Sequence, residues 1–144
     1  LDGIVRRAVR RFAGEFIGRK LKLCYEPLNV SCVTDEKWLL FVIEQVLSNA
    51  LKYTRAGSIT IELEAPKTLV IRDTGIGVAP EDLPRIFEKG YTGYNGRGDQ
   101  KASGLGLYLC RTICKRLGHT ITASSVPDHG TAIRITLEQR QVRE

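Results

Sequence analysis

The amino-acid sequence predicts an α/β two-layer sandwich, in which a mixed, mostly antiparallel sheet packs on about three helices. The chain has 144 residues, a length that fits one domain. Its hydrophobic fraction of 42% and charged fraction of 26% are those of a globular protein. Segments in which every second residue is apolar, as in a strand, occur in pairs. These pairs lie between segments whose apolar residues have helical spacing. A doubly wound fold would alternate strand and helix strictly, so we exclude it.

The N-terminal part of the chain is predicted to form a helix and two short strands. Apolar residues recur at three/four spacing over 1–17, so we expect an amphipathic helix that ends at Gly18. The alternation over 20–25 predicts the first strand. The short apolar run over 30–33 predicts the second.

The rest of the chain is predicted to continue as helices followed by paired strands. A long helix over 36–54 begins after an N-cap at Thr34 or Asp35. The segment 90–104 is rich in glycine and polar residues, so it is predicted to be a long loop. The other predicted elements are strands at 58–64 and 69–73, a helix at 105–117 that ends at Gly118, and strands at 120–124 and 131–137.

Composition limits the classes of function. The net charge of +6 admits nucleic acid, an anionic membrane surface or a polyphosphate ligand, as well as a basic surface without a partner. The four cysteines form no C-x-x-C pair and no zinc-ligand set with His119 or His129, so we expect reduced thiols. No run of eighteen apolar residues occurs, so no membrane span is predicted. Because methionine is absent, we expect a fragment of a longer protein.

A polar stripe on the long helix is one candidate site. Its members fall within about 100° of arc on a helix that is otherwise apolar. Glu44 lies far around the helix from Asn49 and does not join the stripe. An ordinary solvent-exposed face would give the same pattern. The members of the stripe are Gln45, Ser48, Asn49 and Lys52.

Two glycine-containing segments are further candidates. The segment 73–77, Asp-Thr-Gly-Ile-Gly, follows an apolar strand, and its glycines let the backbone approach a ligand closely. The carboxylate of Asp73 would accept a hydrogen bond from an amine such as an adenine amino group. The segment 104–107, Gly-Leu-Gly-Leu, opens a helix, whose N-terminal N–H groups suit phosphate. Each segment alone is also explained by an ordinary turn or loop. The segment 73–77 lacks the third glycine of a Rossmann loop, because Pro80 stands there, and the sequence has no Gly-Lys-Ser/Thr of a P-loop.

Taken in order, these segments resemble the GHKL superfamily of ATP-binding domains, and most closely the catalytic domain of sensor histidine kinases. The resemblance covers about 35–137 and implies a Bergerat-type fold, with one ATP-binding domain over 1–144 and a lid at about 90–103. The matching motifs are the N box at 45–54, the G1 box at 73–77, the F box at 85–90 and the G2 box at 104–107.

The sequence also resembles one subgroup of these kinases. The segments 37–45 and 89–97 are similar to those of the small intramembrane-sensing kinases of Gram-positive bacteria. That subgroup responds to cell-envelope stress and peptide antibiotics. The resemblance therefore implies the cytoplasmic domain of a plasma-membrane sensor kinase.

The resemblance assigns roles to single residues. Asn49 would bind Mg²⁺, because an amide oxygen suits a hard cation. Asp73 would bind adenine, and Gln45 and Lys52 would be the catalytic positions. Gln45 replaces the glutamate that activates water in ATP-hydrolysing relatives, which argues against an ATPase and not against a histidine kinase. The other implied ATP-binding residues, besides Lys52, are Tyr53, Gly75, Ile76, Gly77, Phe87, Lys89, Arg97, Lys101, Gly104, Leu105, Gly106, Leu107 and Thr131.

The implied reaction uses ATP and Mg²⁺. The γ-phosphate would pass to a histidine on a separate dimerisation and phospho-acceptor domain of the same kinase. A response regulator would be the further partner. Neither His119 nor His129 precedes an acidic residue, as the family's acceptor usually does. We therefore expect a monomeric fragment without its own acceptor and without a nucleic-acid partner.

The sequence leaves three alternatives open. A stand-alone anti-sigma-factor serine kinase shares the superfamily fold, although the Gly-Leu-Gly-Leu motif and the separate F box argue against it. A basic nucleic-acid-binding module is compatible with the charge, but the sequence has a single dense arginine cluster, over 6–11. A degenerate domain would bind nucleotide and only regulate.

Overall fold

The computed structural model describes residues 1–31, 34–64, 67–89 and 106–137. Within these ranges, three α-helices pack on a five-stranded mixed sheet, as the sequence predicts. A 3₁₀ turn, Leu83–Arg85, follows the third strand. The elements are α1 (Asp2–Gly18), β1 (Lys22–Tyr25), α2 (Glu36–Tyr53), β2 (Ser58–Glu64), β3 (Thr68–Asp73), α3 (Gly106–Leu117), β4 (Thr120–Val126) and β5 (Gly130–Thr136).

The sheet has the order β1-β2-β3-β5-β4. β1 runs parallel to β2, and every other neighbouring pair is antiparallel. Arg72 of β3 lies opposite Ala132 of β5, so the end of β3 meets the start of β5. This register brings Asp73 beside Thr131, although 57 residues separate them along the chain.

The core lies between the helices and one face of the sheet. α2 is the central helix, and one of its sides is buried along its whole length. The Asp35 side chain begins this helix by accepting a hydrogen bond from Trp38 N at 3.1 Å. Burying each large aliphatic side chain contributes about 1.5–3 kcal/mol before the loss of conformational entropy. The buried residues of α2 are Leu39, Val42, Ile43, Val46, Leu47, Ala50 and Leu51.

The outer face of the sheet carries cross-strand ion pairs. Arg72 Nη2 lies 2.7 Å from Glu62 Oε2, and Arg134 Nε lies 3.1 Å from Glu64 Oε1. Val70 lies between these pairs on the same face and is completely buried. The aliphatic stems of the charged residues can cover an apolar neighbour while their ends stay in water. This face is therefore solvated without an exposed apolar patch in its centre.

Two local predictions are wrong. The described part of the predicted strand over 30–33 is not a strand. Instead, Leu28 N and Asn29 N both donate to the Asp2 carboxylate at 2.8 Å, which holds this segment against α1 rather than in the sheet. The apolar spacing over 1–17 places Ile17 on the buried side of the first helix, but its side chain is 78% exposed. It lies about 140° around the helix from the middle of the buried stripe, outside the face that meets the core.

None of the described helices combines the length and the hydropathy that a membrane span requires. The predicted long loop over 90–104 lies outside the described residues.

Candidate functional site

Asp73 ends β3 with a buried carboxylate. Its side-chain atom Oδ1 accepts hydrogen bonds from the backbone N–H groups of Gly75, at 2.9 Å, and Thr131, at 3.2 Å. Among the described residues no hydrogen bond reaches the second oxygen, Oδ2. Burial raises the pKa of Asp73, while the two backbone hydrogen bonds act in the opposite direction. The structure thus orients one carboxylate oxygen internally and leaves the other as an acceptor for a ligand.

The turn after Asp73 is in close contact with the end of α2. A Cβ atom on Gly75 would lie 2.2 Å from the carbonyl oxygen of Tyr53, so only glycine fits there. Ile76 N donates to that same carbonyl oxygen at 3.1 Å. The backbone of the turn therefore packs directly on Tyr53, the last residue of α2. This contact requires a residue without a Cβ at position 75.

The β4–β5 hairpin holds the other side of the turn. Val78 N donates to Ser125 Oγ at 2.7 Å, and Asp128 N donates to the carbonyl oxygen of Ile76 at 2.7 Å. Gly77 has a φ of +75°, and a Cβ there would lie 2.4 Å from the carbonyl oxygen of Val126. Sequence reasoning missed Ser125, because a serine in an alternating strand gives no signal of a contact 47 residues away.

The polar stripe of α2 meets the start of α3. A Cβ built on Gly106 would lie 3.0 Å from Gln45 Oε1 and 3.9 Å from Asn49 Nδ2. Gln45 and Asn49 are both half-buried. A glycine at this point lets two amide side chains approach the N-terminal end of a helix, where backbone N–H groups lack partners within the helix. Leu107 packs against the core and fixes this end of α3.

Glu44 is directed away from the stripe, as its position on the helix predicts. Its Oε1 atom accepts a hydrogen bond from Arg11 Nη1 of α1 at 3.0 Å. The side chain of Glu44 is only 15% exposed. The neighbouring carboxylate is therefore engaged with another helix and does not stand in for a glutamate at position 45.

The end of α2 contributes a cation, a ring and a hydroxyl. Lys52 Nζ lies 5.7 Å from the centroid of the Tyr53 ring. Burial lowers the pKa of Lys52 and raises the pKa of Tyr53. The hydroxyl of Thr54 is completely buried and has no hydrogen-bond partner among the described residues. It lies 2.9 Å from the point where a Cβ on Gly75 would stand, so it faces the same turn as Asp73. An unpaired buried hydroxyl fits a site that a ligand or a water completes.

The F-box residues differ in burial. Phe87 is 8% exposed and belongs to the hydrophobic core. Lys89 is exposed. The predicted ATP-binding residues Arg97, Lys101, Gly104 and Leu105, together with the predicted lid at 90–103, lie outside the described residues.

The two histidines occupy different environments. His119 is buried, and its Nε2 lies 2.9 Å from Thr34 Oγ1. His129 is exposed on the hairpin between β4 and β5. Within the described ranges, no group of three or more His, Cys, Asp or Glu side chains could hold a metal ion.

Comparison with known families and proteins identifies a common domain type. Residues 34–141 match the family model described as "Histidine kinase-, DNA gyrase B-, and HSP90-like ATPase". The chain is 36% identical over 141 residues to the sensor histidine kinase YxdK of Bacillus subtilis, covering 94% of this chain and 42% of that protein. It is 42% identical over 107 residues to the sensor protein BceS of Halalkalibacterium halodurans, covering 72% of this chain and 32% of that protein.

A third relative and two solved structures agree with this assignment. The chain is 40% identical over 105 residues to the sensor protein kinase GraS of Staphylococcus aureus, covering 71% and 30% of the two chains. It thus spans less than half the length of these curated relatives. The nucleotide-free catalytic domain of histidine kinase ThkA superposes with a TM-score of 0.80 at 20% identity, covering 94% of this chain and 91% of that one. Full-length ShkA in complex with AMPPNP superposes with a TM-score of 0.78 at 22% identity, covering 92% and 28%.

Proposed function

This chain belongs to the family of histidine kinase-, DNA gyrase B- and HSP90-like ATPases, and we propose that it is the catalytic domain of a sensor histidine kinase. In this proposal it binds Mg-ATP and donates the γ-phosphate to a histidine on a separate dimerisation and phospho-acceptor domain. The observation that carries the proposal is the buried carboxylate of Asp73, with one oxygen oriented by two backbone N–H groups and the other left to accept.

We assign the base of the nucleotide to the turn after β3. Asp73 Oδ2 accepts a hydrogen bond from the adenine amino group, because a buried acceptor-only oxygen is matched by an amine donor. Gly75 and Gly77 hold the turn beside the base through their close packing on Tyr53 and Val126. The unpaired hydroxyl of Thr54 completes this pocket directly or through a water. The complex of ShkA with AMPPNP, a protein of the same fold, supports a nucleotide in this family of structures.

We assign the phosphates and the metal to the meeting point of α2 and α3. Asn49 would hold Mg²⁺ through its amide oxygen, and the first N–H groups of α3 would bind the phosphates. The ion would supply neutralisation of the phosphate charge. Lys52 and Lys89 add positive charge. The remaining predicted ATP-binding residues keep the same role in this proposal: Tyr53, Ile76, Phe87, Arg97, Lys101, Gly104, Leu105, Gly106, Leu107 and Thr131.

The transfer itself requires a nucleophile from outside the chain. Gln45 is an amide and does not remove a proton from water, so the site lacks the group that hydrolysis requires at this position. An imidazole nitrogen of the acceptor attacks the γ-phosphorus, the bond to the β–γ bridging oxygen breaks, and ADP leaves. Positioning and charge neutralisation supply most of the catalysis in such a reaction. The names of two curated relatives, the sensor histidine kinase YxdK and the sensor protein kinase GraS, support this reaction class.

The partners follow from the same reaction. We propose that the chain works with the dimerisation and acceptor domain of its own kinase, and that a response regulator receives the phosphoryl group. In this proposal the complete protein is a membrane sensor that responds to cell-envelope stress, and the fragment alone is a monomer.

The experiment is transfer of label from γ-labelled ATP. The chain is incubated with Mg²⁺ and with the acceptor domain of the full-length kinase, and the labelled acceptor is then exposed to acid. We expect acid-labile label on the acceptor and no label on the chain alone, because phosphohistidine is hydrolysed by acid. Acid-stable label would favour the serine-kinase alternative, and strong acid-labile self-labelling of the chain would contradict the external acceptor.

A matched pair of variants makes the assay specific. Asn49→Ala removes the proposed metal ligand and should abolish transfer. Lys37→Ala changes an exposed residue in the first turn of the same helix, outside the stripe, and should transfer at the wild-type rate. Equal rates for both variants would overturn the assignment of the metal to Asn49.

A further inference from the structure

Arg19 occupies an unusual position between two helix ends. It directly follows α1, and its backbone N–H donates to the carbonyl oxygen of Glu15 at 3.0 Å, which closes that helix. Its side chain extends to the end of a different helix. Arg19 Nη1 donates to the carbonyl oxygen of Leu51 at 2.6 Å, and Nη2 donates to that of Thr54 at 2.7 Å.

These two carbonyl groups are ones that α2 cannot satisfy by itself. The last turn of a helix leaves carbonyl groups without intrahelical partners. Thr54, the C-cap residue of α2, has an extended backbone with a φ of −113° and a ψ of 109°, so the chain leaves the helix without turning back over it. A cation at this end also interacts favourably with the helix dipole. Arg19 therefore takes the place of a C-capping turn.

The guanidinium group makes the connection rigid. Its N–H donors form a planar fork, so two hydrogen bonds from one group fix both the distance and the direction of their acceptors. Lysine has no such fork and cannot hold two carbonyl groups in a fixed relation. The end of α1 is thus tied to the end of α2 by a group with little freedom.

The segment that Arg19 holds also supports the proposed base site. Tyr53, between the two bound carbonyl groups, accepts the hydrogen bond from Ile76 N. Gly75 is so close to this peptide that no Cβ fits between them. Any displacement of residues 51–54 therefore moves the turn that follows Asp73.

We propose that Arg19 is a positioning residue for the nucleotide site and couples α1 to the turn after β3. This inference rests on the proposed function, since it needs a nucleotide at that turn. A partner that moves the C-terminal end of α1 therefore changes the affinity for nucleotide through the guanidinium group. By linkage, bound nucleotide shifts the equilibrium between the positions of that end of α1 by the same factor.

The first test compares nucleotide affinities by calorimetric titration with ATP and with ADP. We expect Arg19→Ala to weaken both about three- to thirtyfold, the range typical of residues that modulate coupling between sites. The two factors should be equal, because the effect acts through the base and not through the γ-phosphate. Arg19→Lys should restore part of the loss. Arg10→Ala, an exposed arginine of the same helix, is the matched control and should bind as wild type does.

A purely structural role predicts a different result. It would lower the midpoint of thermal unfolding while leaving the affinity of the folded protein unchanged, and that outcome overturns the proposal. Arg19→Met keeps the aliphatic stem, so it replaces Arg19→Ala if that variant does not fold. Absence of nucleotide binding by the wild type would reject the proposed function and this inference together, whereas wild-type binding with unchanged variants rejects the inference alone.

The second test uses the unaltered chain. Amide hydrogen exchange is followed with and without ATP at residues 19–21, whose N–H groups donate to carbonyl groups of the last turns of α1. We expect ATP to slow exchange there more than at residues 5–9 of the same helix. No change at residues 19–21 under saturating ATP would overturn the coupling.

Discussion

At the scale of single residues, Asp73 places a carboxyl group where burial disfavours its charged form. Burial raises the pKa of its carboxyl group, which means that the fold disfavours the charged form. Two backbone N–H groups oppose this effect without removing it. A carboxylate retained in such a place is best explained by a ligand that hydrogen-bonds to it.

Asp73→Asn should abolish tight nucleotide binding. The new Oδ1 can still accept from Gly75 and Thr131, so the turn keeps its internal hydrogen bonds. The new Nδ2 is a donor aimed at an amine, and the mismatch should cost about 1.5–3 kcal/mol, or about ten- to a hundredfold in affinity. Calorimetric titration with ADP measures this. Asp82→Asn, in the 3₁₀ region, is the control, and an unchanged affinity in Asp73→Asn would reject the base site.

The same substitution should not reduce stability at neutral pH. Because the pKa of Asp73 is higher in the folded chain than in the unfolded one, this group's contribution to the free energy of unfolding decreases as pH rises through these two values. Above them the charged group destabilises the fold, and Asn removes that cost. Urea unfolding at about pH 7 should therefore show Asp73→Asn to be at least as stable as wild type. A clear loss would mean that the charge itself holds the turn.

At the scale of elements, the turn after β3 is fixed by its neighbours. Gly75→Ala should destabilise the chain by about 1–3 kcal/mol, because its Cβ would overlap the carbonyl oxygen of Tyr53. It should also weaken nucleotide binding, since the turn must move. Gly14→Ala is the matched control in α1, where nothing lies within 4 Å of the added Cβ. This control should raise stability by about 0.5–1 kcal/mol, and a similar loss in both variants would contradict the proposed packing.

His119 joins the end of α3 to the start of α2. It follows the glycine after α3, and its Nε2 meets Thr34, next to the N-cap of α2. Its Nδ1 is buried without a hydrogen-bond partner among the described residues. Burial lowers the pKa of His119 below its ordinary value of 6.5. The protonated form would place an unpaired N–H group in the core.

The free energy of unfolding should therefore decrease as pH falls below about 6.5. In that range the unfolded imidazole takes up a proton that the folded one does not. His119→Gln should remove this part of the pH dependence between about pH 7.5 and 5.5, and His129→Gln, on the exposed hairpin, should retain it. Denaturant unfolding at the two pH values measures the difference. Identical pH dependence in all three proteins would show that His119 does not titrate with folding.

At the scale of the whole molecule, the sequence predicts most of the elements because their patterns are local. The buried side of α2 and the alternation of β2 are visible at helical and strand periods. The failures come from contacts distant in sequence. The segment after β1 bonds to Asp2 instead of the sheet, and no local pattern shows this.

The candidate site likewise contains residues that the sequence reveals and residues that only the folded structure reveals. Asp73 and the glycines around it are recognisable, because close backbone approach requires glycine. Arg19 and Ser125 are not, since each acts on a segment more than thirty residues away. Thr54 is missed for another reason: its burial without a partner is a property of the packed structure alone.

One measurement tests the central claim most directly: calorimetric titration of the chain with ATP and ADP, with and without Mg²⁺. We expect both nucleotides to bind, Mg²⁺ to strengthen binding of ATP, and Asn49→Ala to lose that strengthening. Failure of the folded chain to bind either nucleotide at about millimolar concentration, where the free energy of binding is about −4 kcal/mol, would contradict the account.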